Sequence, residues 1–191
     1  MRAAIIRMAL VIMPRAAVTM TGAGYAVDHT SSYIDLRGDL PVHPSAVYAT
    51  REVSKIQGAI IHHSATKGQT IRSIAQFHTE VRQWPGVAYH FAIGYDGVIY
   101  QLQDVETVTY HAQGHNARTI GIVLIGNFQD RPLPEKMEVS LVNLLAYLEE
   151  VYGLKYIWLH GQTRATLCPG KYTRDFAETY LKGLEYLPVR K

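Results

Sequence analysis

The sequence predicts a single α/β domain, a central mixed β-sheet flanked by helices, and three observations carry that prediction. Short apolar runs recur at Ala59-Ile60-Ile61, at residues 120–125 and at residues 156–159, each about as long as a buried strand. Segments of helical periodicity alternate with them, the longest between Pro134 and Gly153. Asp96-Gly97 separates two further apolar runs and marks a hairpin, so the sheet holds an antiparallel pair and is not purely parallel.

Taken in chain order, residues 1–30 read as an unstructured or processed leader. Arg2 and Arg7 precede an apolar run at 8–13 that Pro14-Arg15 ends, and a second apolar stretch closes on Gly24-Tyr25-Ala26, loosely a small-x-small cleavage site. An export signal fits this pattern, and a membrane span does not, because the run is too short. Residues 31–55 read as an N-terminal extension packed on the domain, with a short edge strand at 33–37 and a loop over 40–55 that contains two prolines.

The main domain occupies residues 56–191. Its first strand runs into His62-His63. Thr70 is placed to cap a helix whose inner stripe is Ile71, Ile74, Ala75, His78 and Val81, with Pro85-Gly86 beyond its end. Strands at 89–93 and 98–101 flank the Asp-Gly turn, and Gly126-Asn127 closes the strand at 120–125. Pro134 opens the longest helix, with Met137, Leu141, Leu144, Leu145, Leu148 and Val151 inward and Gly153 at its C-terminal end. Thr173 is placed to cap a last helix with Phe176, Ala177, Tyr180, Leu181 and Leu184 inward.

Composition narrows the function classes. The chain has 191 residues, of which 48% are hydrophobic and 18% charged, which describes a globular protein and excludes a disordered one. The net charge of +3 comes without any dense Lys/Arg block or interleaved aromatics, so nucleic-acid binding has little support. Cys168 is the lone cysteine, which rules out an intramolecular disulfide and leaves a core thiol, a nucleophile or a metal ligand.

The chemistry-bearing residues converge at strand ends. The His62-His63 pair ends one apolar strand, His160 ends another, and Cys168 follows eight residues after His160 in a loop closed by Pro169-Gly170. Sites in α/β sheets form outside the carboxyl ends of strands. Two imidazoles and a thiolate there supply three ligands for a tetrahedral zinc with its fourth position open, as in a catalytic site. His62 and His63 point to opposite faces of their strand, so at most one of them faces such a site. A Cys–His hydrolase with Cys168 as nucleophile and His160 as base is the metal-free alternative, and a structural zinc would need a fourth protein ligand such as His111. His78 reads as core, and His29 and His43 carry no assignment.

Five blocks then run in a familiar order: Ile60-Ile61-His62-His63-Ser64-Ala65-Thr66, Val87-Ala88-Tyr89-His90-Phe91, Tyr110-His111-Ala112, Thr119-Ile120-Gly121-Ile122, and His160 through Cys168-Pro169-Gly170. Over about residues 55–180 the chain resembles the N-acetylmuramoyl-L-alanine amidase type 2 family, which includes phage lysozyme-type amidases and peptidoglycan recognition proteins. The resemblance implies one bound zinc ion held by His62, His160 and Cys168, with His62 favoured over His63. It implies Tyr89 and Thr166 as catalytic residues and His111 and Asn116 as groove residues that contact substrate. The implied reaction is cleavage of the amide between N-acetylmuramic acid and L-alanine in peptidoglycan, at the cell wall, by an exported, periplasmic or phage-released protein. Its implied partner is a muropeptide, with no nucleic acid and no stable membrane insertion. A cytoplasmic recycling branch carries a glutamate where this chain has Val123 and an aspartate at the position of Cys168, which argues against that branch. Some recognition proteins bind muropeptides without cutting them, usually after losing a ligand, and here the ligand set is complete.

Overall fold

The computed structural model describes residues 32–181 together with three short strands ahead of them, β1 (Val11–Ile12), β2 (Thr19–Thr21) and β3 (Gly24–Ala26). Six strands build one mixed sheet: β4 (Ser32–Asp35), β5 (Gly58–His63), β6 (Phe91–Ile93), β7 (Ile99–Gln101), β8 (Thr119–Leu124) and β9 (Tyr156–Leu159). Their order is β4-β7-β6-β8-β5-β9, with β1 added outside β4. Within the six, only β6 and β7 are antiparallel, joined through the expected Asp96-Gly97 turn.

Every residue of the central strands β5 and β8 is buried. Their sequences are continuous apolar runs because both faces of a central parallel strand are covered. The helices that cover them are α1 (Ile71–Gln76), α2 (Glu135–Tyr152) and α3 (Lys171–Phe176). α2 and α3 pack on the face presenting Ala59, Ile61, Ile120 and Ile122. α1 packs on the other, with Ile74 and Ala75 against Ala92 and Val123. Thr70 caps α1 as expected, accepting the Ser73 N–H at 3.1 Å in a reciprocal capping box. Pro134 and Gly153 bound α2, and Gly153 takes the left-handed cap at φ 61°.

Several expectations are corrected. α1 passes into a π-helical turn at Phe77–Val81, and the wider turn swings Val81 off the apolar stripe to 65% exposure. Val151 is also exposed, one residue before the end of α2. Thr173 does not cap α3: Gly170 stands at the N-cap with φ 97°, and Thr173 lies inside the helix, its hydroxyl donating to the Pro169 carbonyl at 2.9 Å. Leu184 lies outside the described residues. Within the segment read as an unstructured or processed leader, β1 pairs antiparallel with β4, and β2 and β3 form a hairpin. The apolar Val11-Ile12 pair gives β4 a backbone partner on what would otherwise be the sheet edge. The small-x-small triplet Gly24-Tyr25-Ala26 is β3 itself, and the rest of the leader lies outside the described residues.

The loop over 40–55 carries an unexpected anchor. Arg51 is buried, and its guanidinium donates to three backbone carbonyls, those of Val105, Asn116 and Thr119, at 2.6–2.9 Å. Burial lowers its pKa to about 10. No helix among the described residues is long and apolar enough to cross a membrane.

Candidate metal centre

β5 and β9 are parallel neighbours, so their carboxyl ends lie side by side. His62 sits near the end of β5, and His160 is the first residue after β9. Cys168 returns from the loop that follows, tied back by the Gly161 N–H donating to the Cys168 carbonyl at 2.8 Å. The candidate ligand atoms of His62, His160 and Cys168 all lie within 4.8 Å of one another. Cys168 Sγ is 3.8 Å from His62 Nδ1. Ligands bonded to one tetrahedral zinc at about 2.0–2.3 Å stand roughly 3.3–3.8 Å apart. His160 Nε2 is buried without a hydrogen-bond partner among the described residues, and a buried ring nitrogen in that state suits a metal bond. Two imidazoles and a thiol therefore fit a zinc ion. His63 points to the other face, where its Nδ1 accepts the Phe128 N–H at 3.2 Å.

A chain of hydrogen bonds orients the cluster. His62 Nε2 lies 3.2 Å from His111 Nδ1, and His111 Nε2 lies 3.3 Å from the Thr119 carbonyl and 3.2 Å from its hydroxyl. The Thr119 hydroxyl spends its proton on the His115 carbonyl at 2.8 Å, so it accepts from His111. His111 is then protonated on Nε2 and accepts on Nδ1, which makes His62 Nε2 a donor and leaves His62 Nδ1 deprotonated toward Cys168. Gly121 makes room for this: a Cβ there would stand 2.6 Å from His111 Cγ.

Burial holds the imidazoles neutral. His62 and His111 are pushed well below their ordinary value, and His160 to about 4, in each case first by desolvation. Burial pushes the Cys168 thiol up to about 11. A nucleophilic cysteine needs the opposite, a depressed thiol beside a protonated histidine. Tyr89 also rises through burial and then through Cys168, which keeps its phenol protonated; its ring centroid is 5.2 Å from that of His62.

The cluster opens into a cavity of about 710 Å³. Tyr89, His111, Asn116 and His160 line it. Asn116 is partly committed, its Oδ1 accepting the Ala112 N–H at 2.7 Å. Thr166 is exposed and is not among the lining residues; its hydroxyl accepts the Cys168 N–H at 3.3 Å. Sequence reasoning missed most of the wall, including Arg82, Trp84, Tyr110 and Arg164. His78, assigned to the core, is buried with its Nδ1 accepting the Ala88 N–H, yet it also borders the cavity, 5.0 Å from the Trp84 ring. The aromatics Phe77 and Trp84, close together in the chain at and beyond the end of α1, were the available signal.

Comparison with known proteins gives a consistent set of matches. Residues 52–171 match the family model described as N-acetylmuramoyl-L-alanine amidase. Peptidoglycan-recognition protein LB of Drosophila melanogaster is 33% identical over 147 residues, covering 67% of this chain and 61% of that protein, so the chain spans about three-fifths of this relative. The endolysin of Escherichia phage T7 is 34% identical over 118 residues, covering 57% of this chain and 77% of the endolysin. Among solved structures, the endolysin N-acetylmuramoyl-L-alanine amidase LysCS from Clostridium intestinale URNW superposes with a TM-score of 0.62 at 30% identity, over 73% of this chain and 93% of that one.

Proposed function

Because the chain belongs to the N-acetylmuramoyl-L-alanine amidase family, we propose that it is a zinc-dependent hydrolase of the amide between N-acetylmuramic acid and the first L-alanine of the peptidoglycan stem. The observation that carries this reading is the convergence of His62, His160 and Cys168 beside the cavity that His160 lines, with His160 Nε2 buried and without a hydrogen-bond partner among the described residues. A zinc ion held by these three side chains would supply a water of lowered pKa and a Lewis acid for the carbonyl.

The protein's own groups do the rest. Tyr89 keeps its proton and borders the cavity beside His62, so it is suited to donate to the oxygen on which charge collects in the tetrahedral intermediate. Both nitrogens of His111 are engaged, which supports a role in orienting His62 over the expected role as a substrate contact. Thr166 acts through the loop, bracing the backbone at Cys168. Asn116, Trp84 and the guanidinium groups of Arg82 and Arg164 line a cavity suited to a peptide bearing carboxylates. Hydrolysis adds water across the amide and leaves a lactyl carboxylate on the glycan and a free alanine amine on the peptide. Such an enzyme acts at the cell wall, whether exported or released by a phage.

The test is incubation with peptidoglycan, with and without a zinc chelator, followed by mass spectrometry of the released ends. Intact glycan and free stem peptides beginning with L-alanine are expected, lost on chelation and restored by zinc. Cleavage that survives chelation would remove the metal from the reaction. The likeness to a recognition protein sustains a second reading, a non-cutting receptor, which muropeptide binding without release by the zinc-loaded chain would establish.

A further inference from the structure

A second cavity, of about 550 Å³, is bordered by Gln57, His115, Arg118, Lys155, Tyr156 and Trp158. It lies on the same face of the sheet as the metal centre. Gly58, Ile60 and His62 alternate onto one face of β5, and Tyr156 and Trp158 are registered beside Gly58 and Ile60 on the edge strand β9. From Gly58 to His62 the strand advances roughly 13 Å, at roughly 3.3 Å per residue. The segment 113–116 divides the two cavities: Gln113 and Asn116 face the first, Gly114 and His115 the second.

This cavity has an aromatic wall with cations at its rim. The Tyr156 and Trp158 rings stack at 4.3 Å and 22°, and His115 meets Trp158 edge-on at 5.1 Å. The wall depends on Gly58, where a Cβ would stand 2.3 Å from the Tyr156 ring. Arg118 and Lys155 are exposed, and neither pairs with a carboxylate among the described residues. Arg118 is close enough for its charge to act on the Tyr156 phenol, opposing the rise that burial causes. Aromatic faces pack against the C–H faces of sugar rings, and unpaired cations at the rim select an acidic substituent.

We propose that this second cavity binds the glycan backbone at a muramoyl residue whose lactyl carboxylate is free. The inference rests on the amidase reading, because hydrolysis of the lactyl amide at the metal centre generates that carboxylate. A strand already stripped at one residue is then held beside the sheet while a neighbouring stem reaches His62, and cleavage proceeds along the strand instead of at scattered positions.

The test uses the full chain and the double variant Arg118→Glu/Lys155→Glu, whose thermal unfolding should match the parent because both sites are exposed. Denuded glycan strands, stripped of stem peptides beforehand, are titrated by calorimetry against neutral chitin oligosaccharides and a single-stranded DNA oligomer. The parent is expected to bind denuded glycan, and the double variant at least about tenfold more weakly. Hydrolysis of a monomeric muramoyl-peptide should be unchanged in the variant while hydrolysis of polymeric peptidoglycan falls. Equal glycan binding by parent and variant, equal binding of neutral chitin, or binding of the DNA alone would overturn the inference. A monomer that neither protein cleaves would show instead that the amidase reading has failed.

Discussion

His62 Nε2 lies 3.2 Å from His111 Nδ1, and this contact passes on to His62 the tautomer that Thr119 fixes in His111. The lone pair that faces Cys168 depends on it. Replacing His111 with phenylalanine removes the acceptor while keeping a ring in the space. Zinc affinity is expected to fall about 10- to 100-fold, measured by competition with a chromogenic chelator. Unchanged affinity would show that His62 is oriented by packing alone.

Tyr89→Phe keeps the ring beside His62 and removes the hydroxyl. Turnover on a muramoyl-peptide should drop about 10²- to 10³-fold with KM little changed, since a donor to developing charge acts in the transition state. Zinc content, read by mass spectrometry of the metal, should stay at the parent value. Parent-like turnover would take Tyr89 out of the reaction.

Gly121→Ala tests the packing beneath His111, because the new Cβ would stand 2.6 Å from His111 Cγ in a fully buried strand. A loss of about 1–3 kcal/mol is expected from overpacking, seen as a lower urea midpoint at unchanged slope. Zinc affinity should weaken with it. A parent-like midpoint would mean that His111 has room to withdraw.

Much of this site was legible in the sequence, for a physical reason. Parallel central strands are apolar throughout, so His62 near the end of β5 is conspicuous, and His160 stands out as the polar residue that follows the short apolar run of the edge strand β9. Helix boundaries were legible where one residue imposes them, at Thr70, Pro134 and Gly153. The failures have equally local causes. Thr173 looks like a cap only until Gly170 takes a positive φ and starts the helix earlier. Val81 fits a period of 3.6 that the chain abandons at Phe77. Arg82, Trp84 and Tyr110 come from a helix end and a loop, and only tertiary packing brings them to one cavity.

Acid should destabilise the metal-free protein. Burial holds His90 at about 3 and His78 at about 4, against 6.5 in the open chain. Both are neutral when folded, whereas the unfolded chain takes up their protons below about pH 6.5. Their contribution is therefore complete above pH 6.5 and is lost as pH falls toward 4, at up to roughly 1.4 kcal/mol per pH unit for each. Urea unfolding at pH 7, 6 and 5 checks this, and a flat profile would contradict it.

The guanidinium of Arg51 has a consequence for how the molecule can be trimmed. It lies one residue ahead of the span 52–171 that matches the family. A fragment cut to that span would keep the carbonyls of Val105, Asn116 and Thr119 and lose the donor they share. The Thr119 carbonyl would still face His111 Nε2 at 3.3 Å, but the Val105 carbonyl would lose both of its guanidinium donors, at about 1–3 kcal/mol for a buried acceptor left unpaired, a sizeable fraction of what a domain this size has to spare. A fragment that folds as stably as the full chain is therefore expected to begin at or before Arg51, ahead of the span of sequence similarity.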